Sequence, residues 1–290
     1  MLSLYLRMKE LAMNVSEEAG RTKKPAGRII RMALLLVFSV GLLVGLYQCF
    51  HILHVNKTAL DAYTKLSTDI LGTDTAGEKV TEKGSSDLSE TESGDSGEKR
   101  RQSIDFTELQ KLYPEIVAWI SAPEIGIDYP IMQTDNNTFY LTHLYDGSKN
   151  TNGAVFMDCN NAGSFWDTNT VIYGHNMKNG AMFCPLEKYK SPDFYDICPT
   201  MLLYTPEGDY LVELVSGTVE DGNYAFVKFN FDRPDELVGY IEQLKARSTF
   251  KSEVEVCPND RILSMCTCTY GRRDNERYML VGKLTGLYEP

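Results

Sequence analysis

A chain of 290 residues, 43% hydrophobic and 24% charged, has room for one sizeable domain plus extra segments and the make-up of a globular protein rather than a disordered one. Its formal net charge of -11 is unevenly spread, because Arg21, Lys23, Lys24, Arg28 and Arg31 crowd the first part and leave the remainder acidic. An acidic body lacks the basic face that phosphate contacts demand, which excludes nucleic acid as a partner.

Between Met32 and Leu53 the chain reads MALLLVFSVGLLVGLYQCFHIL, 22 residues without a formal charge. As a helix this run spans about 33 Å, enough to cross a bilayer. It is longer than the apolar region of a signal peptide and no small-x-small cleavage site closes it, so it reads as a transmembrane helix that stays attached. Basic residues flank only its N-terminal side. The positive-inside rule then places residues 1–31 in the cytoplasm and the chain after residue 54 outside, with Tyr47 and His51 near the outer interface.

Residues 54–104 read as an extracellular flexible linker. Its first part, Asn56 to Leu71, is of mixed character and could continue the helix. The rest is rich in Gly, Ser, Thr, Glu and Lys, with too little apolar surface to offset the entropy of ordering it. A compact domain over 105–290 begins where Phe106, Leu109, Leu112 and Ile116 recur at helical spacing.

Apolar segments bounded by Gly, Asn, Asp and Pro predict strands at 118–121, 129–133, 154–157, 170–173, 200–205, 210–219, 261–268 and 277–284. So many strands indicate a mostly β domain, a barrel or a sandwich. Two helices interrupt them: a short one near Gly180 to Tyr189, and a longer amphipathic one after Arg233-Pro234, where Leu237, Tyr240, Ile241 and Leu244 form a stripe.

The chemistry-bearing residues are a cysteine pair, Cys266 and Cys268, in the run Ile262 to Tyr270, with Arg277 downstream and His175 far upstream. A thiol is a useful nucleophile only as a thiolate, which needs a nearby positive charge or base, and His175 and Arg277 can supply one. Taken singly, each has a bland alternative: a small core residue, a satisfied polar group, a solvated surface charge. On a strand Cys266 and Cys268 share a face, so alternation does not choose between them.

The surrounding motifs choose. Val117-Ala118-Trp119-Ile120, Ile127-Asp128-Tyr129-Pro130-Ile131-Met132-Gln133, Tyr140-Leu141, Gly153-Ala154-Val155-Phe156-Met157-Asp158, Tyr173-Gly174-His175-Asn176-Met177, Thr267-Cys268-Thr269-Tyr270 and Arg277 to Leu284 follow one another in the order found in the sortases of Gram-positive bacteria, and the chain resembles their class B branch. The match runs from about Asp105 to Leu284, and the long helix from Pro234 to Arg247 looks like the class B elaboration. The resemblance implies a closed β-barrel of about eight strands with peripheral helices, one of them long and placed before the cysteine strand.

It also implies a cysteine transpeptidase. The family's Thr-Leu-x-Thr-Cys motif maps onto Ser264, Met265, Cys266, Thr267 and Cys268, with conservative departures at the first two positions. Cys268 is then the nucleophile, His175 the general acid and then base, and Arg277 the group holding the substrate carbonyl and the oxyanion. Asn137, Leu141, Tyr173, Cys266 and Thr267 match positions around the substrate groove. The implied partners are secreted proteins bearing a C-terminal sorting signal and an amine of the cell-wall peptide, with no metal or cofactor. No Asp-Pro-aromatic lid motif precedes the domain, which argues against the class C pilus builders, although some class B members polymerise pilins. Rival readings are a hydrolytic cysteine peptidase and a non-catalytic binding ectodomain in which Cys159, Cys184, Cys198 and Cys257 pair as disulfides. His143 reads as a surface residue.

Overall fold

The computed structural model describes Arg7, Lys9 and residues 24–71, 104–222, 227–268 and 275–286, the side chain of Cys268 lying outside that description. Contacts divide the chain after Val55 into two units. In the first unit, helix α1 (Lys24–Leu71) exposes apolar side chains all round, among them Leu35, Phe38, Leu43, Tyr47 and Phe50. A helix apolar on every face needs an apolar surrounding, and this one is long and apolar enough to cross a membrane.

The second unit begins at Asn56, still on α1. Ala59, Tyr63 and Leu66 are spaced to share one face, and all three are buried in the main hydrophobic core. The first part of the stretch expected as linker, from residue 54 to 71, is therefore helix, and part of it is docked on the domain. Within it, a helical stripe found a partner surface. Residues 72–103, the bulk of the expected tether, lie outside the described residues, as do most of residues 1–31.

A short helix α2 (Phe106–Leu112) opens the domain, capped by the Asp105 carboxylate, which accepts from the Thr107 and Glu108 amides at 3.0 and 3.1 Å. Eight strands follow: β1 (Ile116–Ala122), β2 (Ile127–Met132), β3 (Val155–Met157), β4 (Asn169–Tyr173), β5 (Thr200–Thr205), β6 (Gly208–Asp221), β7 (Arg261–Cys268) and β8 (Glu276–Gly286). Each overlaps one of the predicted segments. They close into a barrel in the order β1-β2-β3-β4-β7-β8-β6-β5.

Two pairings, β2 with β3 and β4 with β7, are parallel, and the second decides the site. It sets Tyr173 beside Cys266 at the ends of strands that are far apart in sequence. The antiparallel β7–β8 ladder runs alongside and ends with Cys268 opposite Arg277.

Both faces of β7 and β8 are buried, which explains why these strands read as nearly unbroken apolar runs. Leu263, Met265, Tyr278 and Leu280 join the main core with Trp119 and Leu203. Ile262, Cys266, Met279 and Val281 face a second cluster completed by Leu237, Ile241 and Leu244 of the long helix. That helix lies at Pro234–Ala246, as its stripe predicts, with Pro234 at its start, Asp235 and Glu236 in the first turn and Lys245 in the last, an arrangement matched to the helix dipole. The short helix expected near Gly180 to Tyr189 is instead a 3-10 turn over Cys184–Lys190, followed by a single α turn, α3 (Pro192–Tyr195). Gly180 and Met182 have φ of +88° and +56°, so no helix runs through them. The long helix is α4 below.

Candidate active site

Where β4 and β7 end and β8 begins, a cleft is lined by Asn137, Leu141, Tyr173, His175, Cys266, Thr267 and Arg277, along with Phe156, Gly174 and Gly222. Every expected site residue with a described side chain thus borders one cavity. Cys268 occupies the register position facing Arg277 on the neighbouring strand, two residues beyond Cys266.

His175 stands just past β4, on a loop tied to its surroundings by backbone bonds. Gly174 donates its amide to the Cys266 carbonyl at 3.1 Å, and the His175 carbonyl accepts from the Phe183 amide at 3.0 Å. Gly174 permits this approach because a Cβ there would lie 2.7 Å from the Phe183 ring. The imidazole Nε2 is 2.8 Å from the Leu141 carbonyl. A carbonyl only accepts, so Nε2 carries the hydrogen and Nδ1 is the nitrogen left to exchange a proton.

Arg277 enters from β8, its Nη1 donating to the Glu276 carbonyl at 3.1 Å. Gly222 leaves room for its stem, since a Cβ there would come within 3.1 Å of the Arg277 Cγ. Among the described residues no carboxylate closes on the guanidinium, so its charge remains available to the cleft.

The two cysteines now part company. Cys266 is 1% exposed, and burial pushes its thiol well above the ordinary range; Arg277 pulls it down, and Glu220 and Asp158 push it further up. A buried thiol of that kind stays protonated and is a poor nucleophile. Cys266 therefore forms the wall of the cleft rather than a reactive surface within it. Thr267 also borders the cleft but is only 2% exposed, which limits what it can offer a substrate.

Asn137 and Tyr173 are held by a residue that sequence reasoning left unassigned. Asp158 is 3% exposed and its carboxylate collects four donors: the Tyr173 hydroxyl at 2.8 Å, the Asn137 amide nitrogen at 2.9 Å, and the backbone and side-chain nitrogens of Asn160, both at 2.9 Å. Asn137 is oriented further because its Oδ1 accepts from the Cys159 amide at 2.8 Å. Burial, the neighbouring Cys266 and the bond to Asp158 all raise the Tyr173 hydroxyl far above its usual range, so it stays protonated and keeps its donated bond to Asp158. The available signal was the acid closing the apolar strand 154–157. Phe156, its ring centroid 5.4 Å from that of Tyr173, was also missed as a lining residue.

His143 lies apart, stacked on Phe139 at 4.1 Å. Among the described residues no group of three or more His, Cys, Asp or Glu side chains is placed to hold a metal ion. Among the described residues Cys49, Cys159, Cys184, Cys257 and Cys266 are free thiols, and the Cys198 thiol donates to the Thr200 carbonyl at 3.3 Å. The disulfide framework required by the binding-module reading is thus missing from the described residues.

Comparison with known proteins agrees with this geometry. The family model described as Sortase domain matches residues 120–285, more than half of the chain. The chain belongs to the sortase family. Among its relatives, sortase B of Listeria monocytogenes is 35% identical over 181 residues, covering 62% of this chain and 74% of the relative. The X-ray structure of Clostridium perfringens sortase B is similar at 30% identity with a TM-score of 0.58, over 62% of this chain and 98% of that one. A Staphylococcus aureus sortase B–substrate complex matches at 26% identity and a TM-score of 0.59, over 63% and 85% of the two chains. The closed eight-stranded barrel with α4 ahead of β7 is the sortase B fold, and the chain is a class B sortase, a cysteine transpeptidase.

Proposed function

We propose that this sortase cleaves secreted proteins after a Thr in a C-terminal sorting signal and joins them to an amino group of the cell-wall peptide, thereby anchoring surface proteins. The observation that carries the reading is the convergence of His175, Arg277 and the backbone position of Cys268 at the meeting of β4, β7 and β8.

The Cys268 thiolate adds to the threonyl carbonyl carbon, and the oxygen takes up negative charge opposite the Arg277 guanidinium. The carbon–nitrogen bond then breaks, and the leaving amine takes a proton from the His175 imidazolium. In the second half the acceptor amine attacks the thioester and gives its proton to His175, an amide forms and the cysteine sulfur departs. Asn137, Leu141 and Tyr173 line the groove that holds the signal. The apolar part of α1 spans the membrane, and the basic residues before it keep the N-terminus in the cytoplasm, so the catalytic domain faces substrates emerging outside.

Intact-mass spectrometry of the chain, incubated with Thr-containing sorting peptides with and without a glycine-type or diamine acceptor, tests this. The expected result is a thioacyl adduct on Cys268 that the amine converts to ligated peptide. Cys268→Ala abolishes the adduct, Cys266→Ala keeps most of the activity, and Arg277→Lys is severely impaired because a point charge does not replace a planar fork. Equal loss from both cysteine changes would sink the assignment, and ligation only to a lysine of another substrate chain would turn the reading toward pilin polymerisation.

A further inference from the structure

On α1, the helical stripe that meets the domain includes one polar tip. Tyr63 is 8% exposed, and its hydroxyl donates to the Gly153 carbonyl at 3.1 Å. The seam is bonded in the other direction too, with the Tyr145 hydroxyl donating to the Ala62 carbonyl at 3.0 Å.

Gly153 is where His175 rests. It has a φ of +61°, and a Cβ there would run into the Tyr140 carbonyl and lie 3.0 Å from the His175 Cδ2 and 3.1 Å from the Leu141 oxygen, the acceptor of the imidazole. A glycine in this conformation gains no rigidity from a side chain of its own and is held by what bonds to it.

A second route leads back to the same side chain. The Tyr63 ring meets Tyr129 edge-on with centroids 5.2 Å apart. The Tyr129 hydroxyl accepts from the Met182 amide at 3.1 Å, and the next residue, Phe183, donates to the His175 carbonyl at 3.0 Å. Supports on the ring side and on the backbone side of His175 therefore converge on Tyr63.

We propose that Tyr63 is a positioning residue for His175, so that the stretch of α1 from residue 56 onward is a working part of the catalytic unit rather than a spacer. The inference rests on the role given to His175 above. Proton transfer tolerates little displacement, and about 1 Å of misplacement can cost on the order of 100-fold in rate. A helical segment that braces the general acid ties activity to how the stretch from Asn56 onward is seated on the domain.

The test uses the full chain in detergent micelles or nanodiscs, as wild type, Tyr63→Phe and Tyr63→Ala, well below each melting temperature. NMR of isotope-labelled histidine nitrogens reads the His175 tautomer directly, with the signal assigned from a His175→Ala chain. The wild type is expected to show the Nε2–H form, and Tyr63→Ala a mixture of tautomers with kcat for transpeptidation lower by about 10-fold and KM within about 2-fold. Tyr63→Phe, which keeps the packing and loses only the bond to Gly153, is expected to lower kcat by about 3-fold, and it decides the matter if Tyr63→Ala does not fold. Variants that melt earlier yet keep the wild-type histidine signature and kcat overturn the proposal. If the wild type itself ligates no peptide, the functional reading fails while the histidine signature still decides the role of Tyr63.

Discussion

Asp158 shows how much of the cleft hangs on one buried carboxylate. Four donors converge on it, two of them from groove residues on different segments, Asn137 and Tyr173. Asparagine at 158 keeps one acceptor oxygen and sets a new donor against existing donors. Asp158→Asn is therefore expected to cost about 2–3 kcal/mol of stability and to raise KM more than it lowers kcat. Tyr173→Phe removes a single bond and is expected to cost about 1 kcal/mol. Chemical denaturation and steady-state kinetics of both variants check this, and a structural role alone would leave KM unchanged in the folded protein. The cysteine pair teaches the same lesson: alternation along β7 gives Cys266 and Cys268 the same parity, and only tertiary packing, in a cluster with α4 side chains and beside Tyr173 of β4, makes Cys266 an inert wall.

Among the elements, α4 has the clearest mechanical task. Leu237, Ile241 and Leu244 share one buried cluster with Val171 of β4, Val215 of β6, Ile262 and Cys266 of β7, and Met279 and Val281 of β8. Truncating Ile241 to alanine leaves a cavity against Ile262, Met279 and Val281 and is expected to cost about 2–4 kcal/mol. The same change should increase the alkylation rate of Cys266, measured by peptide mass spectrometry, because the thiol shares that layer; unchanged protection would mean that its neighbours on the strands bury it without the helix. The helix was legible in the sequence because its stripe is local and 3.6-periodic. The 3-10 turn at Cys184–Lys190 was less so, since backbone at Gly180 and Met182 turns against any helix while the apolar spacing still suggests one.

Over the whole molecule, buried tyrosines make the fold sensitive to alkali. Burial raises Tyr129, Tyr140, Tyr173, Tyr189 and Tyr278 above the usual phenol range and holds Tyr240 at about 12. In the unfolded chain these groups release protons near pH 10. Above that pH the native state binds more protons than the unfolded one, so stability falls as pH rises. Melting temperatures measured from about pH 8 to pH 11 are expected to drop steeply past pH 10, with the tyrosinate absorbance of these six side chains appearing together with unfolding rather than before it. A gradual titration of all tyrosines in the folded state would contradict this burial.

The apolar helix, the eight strand segments, α4 and the residue types of the site are readable along the chain, because each is written in a local period or a short motif. The choice of Cys268 over Cys266 as nucleophile rests on the resemblance to the family's Thr-Leu-x-Thr-Cys motif. The chain packed in three dimensions is needed to see that β4 and β7 run parallel, that Asp158 gathers Asn137 and Tyr173, that Cys266 is sealed, and that Tyr63 reaches Gly153 across 90 positions. These contacts exist only once the barrel has closed. Local periodicity says which face of a segment is apolar, and it carries no information about which distant segment will cover that face.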